Sequence, residues 1–370
     1  MFFSSLCKNL SLKQIARIPR LRNFQETRIK MLPVKSVIDM HKVKAPKNII
    51  VDCDAGLDDA VALIILLAGH VNNKIKVKAV TCVNGNTKVD NVVKNVFRTL
   101  DVCKCQEIPV YRGAYSSLLN TLNAKETASE EYHGSDGFGD VYTDQPDIGR
   151  LQKEHAVCAL HRITSEDPGN VSVVCLGPLT NIAIAIKMYP DFVNNVKEFF
   201  VMGGNSTGLG NITSQAEFNF YADPESAHIV LDSNTKPLWL LPWETCLKSQ
   251  ITHDWRRDVL GKIHTPCVLM LNKIEDGRRA QAKKHFSYYI MCDAFLAGII
   301  MIPDMAKEVV LWHADVELGG NRTRGQVVLD HMLLNKPNIN LINDFDSEMF
   351  KEILMNAVCT IQEIKYSVIE

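Results

Sequence analysis

The 370-residue sequence lacks the features that mark two large classes of proteins. It has no uninterrupted apolar run of about 18 residues, the length that a membrane-spanning helix needs. Its 41 basic and 42 acidic residues give a net charge of -1, so it has no excess of basic charge. Proteins that hold nucleic acid usually carry such an excess. The sequence therefore predicts neither a membrane partner nor a nucleic-acid partner.

The 11 cysteines also lack an organised pattern. Cys103 and Cys105 form a C-x-C pair, but no second pair stands nearby to complete a zinc site. The other cysteines are scattered through apolar stretches, which predicts reduced thiols. With 46% hydrophobic and 22% charged residues, the composition is typical of a globular protein.

The first 46 residues differ in charge from the rest of the chain. Their acidic residues are Glu26 and Asp39, whereas lysines and arginines are much more numerous. The segment has no compact apolar stretch of the kind that a secretory signal contains. We expect residues 1–46 to be a basic extension, either poorly ordered or a mitochondrial presequence, and 47–370 to form a single domain. The expected location is cytoplasmic, with the mitochondrion as the alternative.

From residue 47 onward, short β-branched runs alternate with segments of helical spacing. Predicted strands cover 48–52, 76–81, 171–176, 198–202 and 237–241. Predicted helices cover 57–68, 90–102, 155–165, 181–188 and 224–231, followed by a helical region at about 251–310. This alternation predicts an α/β fold: one doubly wound, mostly parallel, Rossmann-like sheet with helices on both faces. The active site is expected at the carboxyl ends of the strands.

A cluster of acidic residues follows the first predicted strand. Asp52, Asp54, Asp58 and Asp59 lie within one short turn, where Gly56 is expected to let the backbone fold back. Asp58 and Asp59 fall in the first turn of the next helix, where the helix dipole favours negative charge. Four neighbouring carboxylates repel one another unless a cation lies among them. The cluster therefore predicts a divalent metal, Ca²⁺ or Mg²⁺ rather than Zn²⁺.

Two other interpretations of the acidic cluster can be weighed. An EF-hand is excluded, because a loop that begins at Asp52 has Leu63 at its twelfth position, where a glutamate is needed. A haloacid dehalogenase-like phosphatase also begins with a strand and D-x-D, but it usually has Thr or Val where this chain has Ala55 and Gly56. The phosphatase remains an alternative, although no downstream lysine stands out as its phosphate ligand.

The segment from Asp52 to Asp59 resembles the D-x-D-x-G-x-D-D signature of the nucleoside hydrolases, the inosine-uridine preferring type. Later motifs occur in the order of that family: Asn84-Gly85-Asn86, His133-Gly134-Ser135-Asp136-Gly137, Leu176-Gly177-Pro178-Leu179-Thr180-Asn181, Met202-Gly203-Gly204, Glu217-Phe218-Asn219, Asp223-Pro224-Glu225, Asp293 and Thr323-Arg324-Gly325. The resemblance implies a Ca²⁺-dependent hydrolase that cleaves the N-glycosidic bond of ribonucleosides to give free base and ribose. It also implies one catalytic domain over 47–370, in a homodimer or homotetramer.

The resemblance assigns roles to individual residues. The implied metal ligands are Asp54, Asp59, the backbone carbonyl of Leu176, and Asp293. Asp54 is also the implied general base, which activates a metal-bound water for attack on C1′. The implied substrate ligands are Asp58 and Asn86 at the ribose hydroxyls, and Asn211, Glu217 and Asn219 at the 3′ and 5′ hydroxyls. His133 is the implied histidine of the pocket.

Two local expectations come from the residues themselves. Glu217 and Asn219 would present both polar groups on one side if their segment is extended. Asn181 follows Leu-Thr at a predicted helix start, and we expect it to cap that helix rather than contact substrate.

Cys292 departs from the family pattern. The best-known members have a histidine immediately before the last metal-binding aspartate, where it helps the base to leave. A thiol, with a pKa of about 8.5, is a weaker proton donor than an imidazolium. Cys292 stays a catalytic candidate, and His285, Tyr288 and Tyr289 are alternatives that could donate a proton or stack on the base.

The same departure motivates a hypothesis from another class, a nucleoside- or ribose-binding protein with reduced turnover. The motifs hold the sugar, so they leave the preference for purine or pyrimidine open.

Overall fold

The computed structural model describes residues 37–119, 132–276 and 286–363. Most of the basic segment, 1–36, and His285 lie outside these residues. The compact unit that contains the described residues begins at Val37 rather than at residue 47. The reason is strand pairing: Val37 forms a bridge with Val310, and the amide of Ile38 donates to the carbonyl of Val309 at 3.0 Å.

Across the described residues, a sheet of nine strands forms the centre of the fold, in the order β4-β3-β2-β1-β5-β6-β7-β11-β8. Neighbouring strands in this sheet are parallel, except that β8 runs antiparallel to β11. A separate antiparallel pair consists of β9 and β10. The strands are β1 Asn48–Cys53, β2 Lys76–Cys82, β3 Val110–Arg112, β4 Leu151–Gln152, β5 Val171–Cys175, β6 Val196–Met202, β7 Leu238–Leu241, β8 Ala306–Trp312, β9 Ala314–Val316, β10 Val327–Leu329 and β11 Ile339–Phe345.

Helices pack on both faces of this sheet. They are α1 Leu57–Val71, α2 Val89–Val102, α3 Ala156–Glu166, α4 Thr180–Met188, α5 Phe192–Asn195, α6 Phe218–Ala222, α7 Pro224–Ser233, α8 Trp243–Cys246, α9 His253–Asp258, α10 Pro266–Asp276, α11 Cys292–Met301 and α12 Ser347–Glu363. Strand β1 shows how the layers form: Ile49 and Val51 belong to one buried cluster and Ile50 to the other. Successive side chains of a strand point to opposite faces, so a central strand must be apolar throughout. The predicted doubly wound α/β fold is confirmed.

The predicted elements between residues 48 and 241 are all present, within a few residues of their expected bounds. The helical region predicted at about 251–310 contains α9, α10 and α11. Sequence analysis missed β3 and β4, which are only 3 and 2 residues long. It also missed β8 and β11, because polar residues such as Asn340 and Asp344 interrupt the apolar pattern of β11.

None of the described helices combines enough length with enough apolar character to cross a membrane.

Candidate active site

A pocket of about 460 Å³ opens at the carboxyl ends of the strands. The residues predicted to bind metal or substrate, together with His133 and Cys292, line this pocket except Asp54 and Asp59, which are fully buried close by. The predicted residues on its walls are Asp58, Asn86, His133, Leu176, Asn211, Glu217, Asn219, Cys292 and Asp293. These residues come from distant parts of the chain, and the parallel sheet brings them to one edge.

The turn between β1 and α1 is tight for a reason that differs from the prediction. Gly56 has φ -82° and ψ -166°, an extended backbone that any residue adopts, whereas Ala55 has φ 38°. Glycine is required at 56 because a Cβ there would lie 2.5 Å from Nδ1 of His133 and 2.6 Å from Nδ2 of Asn86. The glycine therefore admits two side chains of the site rather than a left-handed turn.

Asp54 and Asp59 are held in place by Asn86. The amide N–H of Asn86 donates to Oδ2 of Asp54 at 2.7 Å, and its side-chain Nδ2 donates to Oδ1 of Asp54 at 3.1 Å and to Oδ2 of Asp59 at 3.3 Å. Burial raises the pKa of Asp59 to about 7, and the charge of Asp58 adds to that effect. Burial and the neighbouring Asp59 raise the pKa of Asp54 well above its usual value. The two carboxylates are thus destabilised as anions unless positive charge joins them.

The donor set fits a divalent cation. Asp58, Asp59 and Asp293 each have one carboxylate oxygen that lies within 4.8 Å of the corresponding oxygens of the other two. Among the described residues, Oδ1 of Asp58 and Oδ1 of Asp59 are buried without a hydrogen-bond partner. Burial raises the pKa of Asp293 well above its usual value, and the charges of Asp58, Asp59 and Asp54 add to this. Buried oxygen acceptors without donors are the ligands that Ca²⁺ and Mg²⁺ use. We call the four carboxylates Asp54, Asp58, Asp59 and Asp293 the carboxylate floor.

The compact group differs in one member from the implied ligand set. It contains Asp58, which the resemblance gave to the ribose, whereas both oxygens of Asp54 already accept hydrogen bonds from Asn86. Asp54 adjoins the group through Asp59, whose carboxyl lies within hydrogen-bond reach of both Asp54 and Asp293. The carbonyl of Leu176 accepts a hydrogen bond from Nδ2 of Asn219 at 2.9 Å, and a carbonyl has a second lone pair for another partner.

Two glycines let backbone pack directly against Asp54. A Cβ at Gly85 would lie 2.0 Å from Oδ2 of Asp54, and a Cβ at Gly177 would lie 2.9 Å from its Cγ. Contacts below 3.0 Å do not occur for real Cβ atoms, so both positions need glycine in this arrangement. The carboxylate is therefore fixed from two strands as well as by Asn86.

Asp52 lies below the carboxylate floor and is fully buried. Its Oδ1 accepts hydrogen bonds from Oγ1 of Thr81 at 2.5 Å and Nδ2 of Asn181 at 2.8 Å. Burial raises the pKa of Asp52 to about 7. The expectation that Asn181 caps a helix is wrong: it lies inside α4, and its Oδ1 accepts from the amide of Ala114. Asn181 instead joins Asp52 to the ends of neighbouring strands.

Glu217 and Asn219 both line the pocket, although their segment is not extended, which was the condition for that expectation. Glu217 is the N-cap of α6, and its carboxylate accepts from the amides of Gly204 at 2.7 Å, Asn219 at 2.9 Å and Phe220 at 3.2 Å. Burial raises the pKa of Glu217 to about 7. Helix capping, rather than strand alternation, therefore brings the two side chains together. The polar sequence of this segment has no strong helical or strand pattern from which this could have been predicted.

His133 is fixed in one tautomer by a helix N-terminus. The amide N–H of Leu57 donates to Nδ1 of His133 at 3.0 Å, so this nitrogen must lack a proton. In the neutral ring the proton is then on Nε2, and a protonated ring would set two N–H groups against each other. The ring of Tyr132 packs edge-on against His133, with centroids 4.8 Å apart. His133 is therefore arranged as a neutral hydrogen-bond donor through Nε2.

Cys292 lines the pocket, but its environment argues against proton donation. Burial raises the pKa of its thiol well above the usual value, and a hydrogen bond with Cys246 adds to this effect. The alternatives that lie within the described residues, Tyr288 and Tyr289, do not line the pocket. Tyr288 is 43% exposed, and the hydroxyl of Tyr289 donates to Glu275 at 2.9 Å.

Sequence analysis missed an apolar wall of the pocket. It consists of Tyr132, Trp243, Phe286 and Ile290. The rings of Trp243 and Phe286 meet at 72° with centroids 5.8 Å apart, and the hydroxyl of Tyr132 donates to the carbonyl of Ile290 at 3.4 Å. Trp243 could have been found, because it follows a predicted strand. Tyr132, Phe286 and Ile290 carry no such signal, since apolar residues are common in any core.

A carboxylate floor at the strand ends, facing a pocket with an apolar wall, is typical of an enzyme site that could hold a metal ion beside a small molecule. Comparison with known proteins identifies the family. The model of the inosine-uridine preferring nucleoside hydrolase family matches residues 49–352. The chain therefore belongs to that family, and it is an enzyme that hydrolyses N-glycosyl bonds.

Individual relatives agree with this assignment. The chain is 32% identical over 311 residues to the pyrimidine-specific ribonucleoside hydrolase RihA of Salmonella paratyphi C, covering 83% of this chain and 96% of the relative. Among solved structures, an inosine-guanosine nucleoside hydrolase is similar with a TM-score of 0.75 and 28% identity, covering 84% of this chain and 98% of the other. A purine-preferring ribonucleoside hydrolase from Gardnerella vaginalis shares the fold, with a TM-score of 0.77, 23% identity, and coverage of 86% and 100%. Membership in this family sets aside the phosphatase alternative.

Proposed function

We propose that this protein hydrolyses the N-glycosidic bond of ribonucleosides with the help of Ca²⁺, giving free base and ribose. The observation that carries the proposal is the carboxylate floor, whose buried oxygens of Asp58 and Asp59 find no donor among the described residues. Asp54, Asp59, Asp293 and the carbonyl of Leu176 would hold the ion, with Asp58 as a further candidate from the geometry. A loose set of oxygen donors favours Ca²⁺ over Mg²⁺, which demands a regular octahedron.

The residues of the floor would divide the work of hydrolysis. A bound divalent cation would lower the pKa of a water and neutralise the carboxylates. Asp54 would take a proton from the water that attacks C1′, since it is fixed by Asn86, Gly85 and Gly177. The remaining carboxylates would stabilise the positive charge that develops on the sugar ring as the bond to the base breaks.

The ribose would be gripped from both sides. Asp58 and Asn86 would bind the hydroxyls next to C1′, and Asn211, Glu217 and Asn219 would bind the 3′ and 5′ hydroxyls. Glu217 already accepts three backbone hydrogen bonds, so its carboxylate is fixed before substrate arrives. Fixed polar partners lower the entropy cost of orienting the sugar.

The departing base would be assisted by His133 rather than by Cys292. His133 is held as an Nε2–H donor by the amide of Leu57, so it would stabilise the departing base by a hydrogen bond while keeping its own proton, and the proton for the base would then come from water. Burial makes the Cys292 thiol a weaker acid than usual. Cys292 would then serve as a wall of the pocket. The named relatives act on pyrimidine and on purine nucleosides, so we propose a substrate range that includes both kinds of base.

A substrate panel tests this proposal. Ribose release is measured from inosine, guanosine, uridine and cytidine with Ca²⁺, with Mg²⁺ and after treatment with a chelator. We expect release of ribose from at least one purine and one pyrimidine nucleoside, and loss of activity after treatment with the chelator. Adding Ca²⁺ back should restore more activity than adding Mg²⁺. Binding of nucleosides without release of ribose would instead support the alternative of a binding protein with reduced turnover.

Two further properties rest on the family resemblance. We propose a homodimer or homotetramer, which light scattering would establish, and a cytoplasmic location. Residues 1–36, on which the mitochondrial alternative depends, lie outside the described residues, and nothing else favours that alternative.

A further inference from the structure

The loop between β6 and α6 forms one side of the pocket. Gly210, Asn211 and Ile212 of this loop line the pocket. Oδ1 of Asn211 accepts from the amide of Phe218 at 2.8 Å, which ties this part of the loop to α6. The amides of Asn211 and Ile212 donate to the carbonyl of Ala216 at 3.1 and 3.3 Å. These bonds tie residues 211–212 to the start of α6, and Gly210 connects them directly to residues 206–209.

The N-terminal half of the loop is fixed by Glu244 on α8. Oε2 of Glu244 accepts from the amide of Ser206 at 2.8 Å. Its Oε1 accepts from the amide of Thr207 at 2.7 Å, the hydroxyl of Thr207 at 2.9 Å and the amide of Leu209 at 3.1 Å. A carboxylate only accepts hydrogen bonds, and bonds to a charged acceptor are stronger than neutral ones. Four donors on one side chain therefore hold 206–209 in a single arrangement.

The same residue adjoins the apolar wall. Trp243, which precedes Glu244, lines the pocket, and its amide donates to the carbonyl of Gly204 at 3.0 Å. Helix α8 thus contacts the loop at both Gly204 and 206–209. Glu244 itself does not line the pocket, so any effect on substrate must pass through the loop.

We propose that Glu244 is a positioning residue, which clamps loop 206–209 so that Asn211 meets the ribose hydroxyls. This inference rests on the proposed function for the role of Asn211. Without the four hydrogen bonds, 206–209 exchanges among several arrangements and Asn211 is correctly placed only part of the time. Substrate affinity falls in proportion to the fraction of correctly placed molecules, whereas the bound substrate still meets an intact carboxylate floor.

The test uses Glu244→Gln, which keeps the size of the side chain but sets an NH₂ group against backbone donors. Asp330→Asn is the matched control. Asp330 also accepts four hydrogen bonds within a loop, from the amides of Met332, Leu334 and Asn335 and from Nδ2 of Asn335, and it does not line the pocket. Amide exchange of 206–209, kcat and KM for uridine and inosine, and their dissociation constants by calorimetry are measured for both variants.

For Glu244→Gln we expect faster amide exchange in 206–209, a KM and a dissociation constant raised about tenfold, and a kcat within about twofold of the wild type. Asp330→Asn should change none of the kinetic values. In an Asn211→Ala background, Glu244→Gln should have little further effect, because both changes act on the same contact. Unchanged affinity, or equal penalties with and without Asn211, overturns the positioning role.

Calorimetry separates the two proposals. A wild-type protein that binds nucleosides without releasing ribose overturns the proposed hydrolysis, while weaker binding by Glu244→Gln still supports the clamp. If the wild type releases ribose and Glu244→Gln binds nucleosides with full affinity, the proposed hydrolysis is supported and the clamp is overturned.

Discussion

The carboxylate floor and the apolar wall of the pocket are built on different principles. The floor consists of carboxylates, of which Asp54 and Asp59 are fixed by hydrogen bonds from Asn86, and Asp54 also by close packing against Gly85 and Gly177. The wall consists of aromatic and aliphatic side chains that pack against one another, with one hydrogen bond from Tyr132 to Ile290. Because the attacked C1′ belongs to the sugar, precision at the floor affects the rate. In the proposed function the wall would contact the base by shape, so changes there should mainly affect affinity.

The largest expected effect comes from the general base on the floor. Asp54→Asn keeps the size of the side chain but removes its ability to take a proton, and it sets an NH₂ group against one of the donors of Asn86. We expect kcat to fall by about 10³-fold, within the usual range for loss of a general base. Thermal unfolding serves as the control, because it shows whether the variant is folded under the assay conditions. More than a tenth of the wild-type kcat in a folded variant would contradict the assigned role.

A smaller loss should follow from moving Asp54 without replacing it. A Cβ at Gly177 would lie 2.9 Å from Cγ and 3.1 Å from Oδ1 of Asp54, so Gly177→Ala must displace the carboxylate. We expect kcat to fall by about 10²-fold, the scale for a displacement of about 1 Å. Gly319→Ala is the matched control, since its Cβ would meet Glu317 at an ordinary 3.6 Å. Equal activity of the two variants would show that the precise position of Asp54 is unimportant.

The buried carboxyls in and around the floor should also affect the stability of the metal-free protein. Burial raises the pKa of Asp52, Asp59 and Glu217 to about 7, whereas carboxyls of the unfolded chain titrate near about 4. Between these values the folded state binds more protons, so its stability rises as the pH falls from about 8 to about 5. With a chelator present, we expect the Tm to rise by about 5 °C or more over this range.

Added Ca²⁺ should reduce this dependence on pH, because the ion favours the ionised floor. The measurement is a series of unfolding curves with chelator and with Ca²⁺. A chelated protein whose Tm falls steadily from pH 8 to pH 5 would show that the carboxyls are not destabilised as anions.

The smallest effect is expected at the apolar wall. Tyr132→Phe removes the hydroxyl that donates to the carbonyl of Ile290 at 3.4 Å, but it keeps the ring that packs against His133. A long neutral hydrogen bond contributes little, so we expect KM to rise about threefold or less with kcat unchanged. Steady-state kinetics on uridine and inosine would check this. A kcat that falls as much as in Gly177→Ala would remove the contrast between wall and floor.

The contrast also explains which residues could be predicted from the sequence. Asp54, Asp58 and Asp59 follow one strand within a few residues, so their chemistry is visible as a local pattern. The strands β1, β2, β5, β6 and β7 are visible for a similar reason, because a central parallel strand is apolar on both faces. Strands β3 and β4 are too short to show such a pattern. By contrast, Tyr132, Phe286 and Ile290 are ordinary apolar residues until folding places them beside the site.

The linear sequence was sufficient to establish the doubly wound fold, the acidic turn and the family, because each depends on residue type and short-range spacing. Only the tertiary structure showed that Gly56 admits His133 and Asn86, that Asn181 binds Asp52, and that Glu217 caps a helix. These contacts join residues far apart in the chain, and a change of a few tenths of an ångström in an interatomic distance decides whether they form. No pattern along the chain encodes such distances, since they arise when the strands of the sheet bring their ends to one edge.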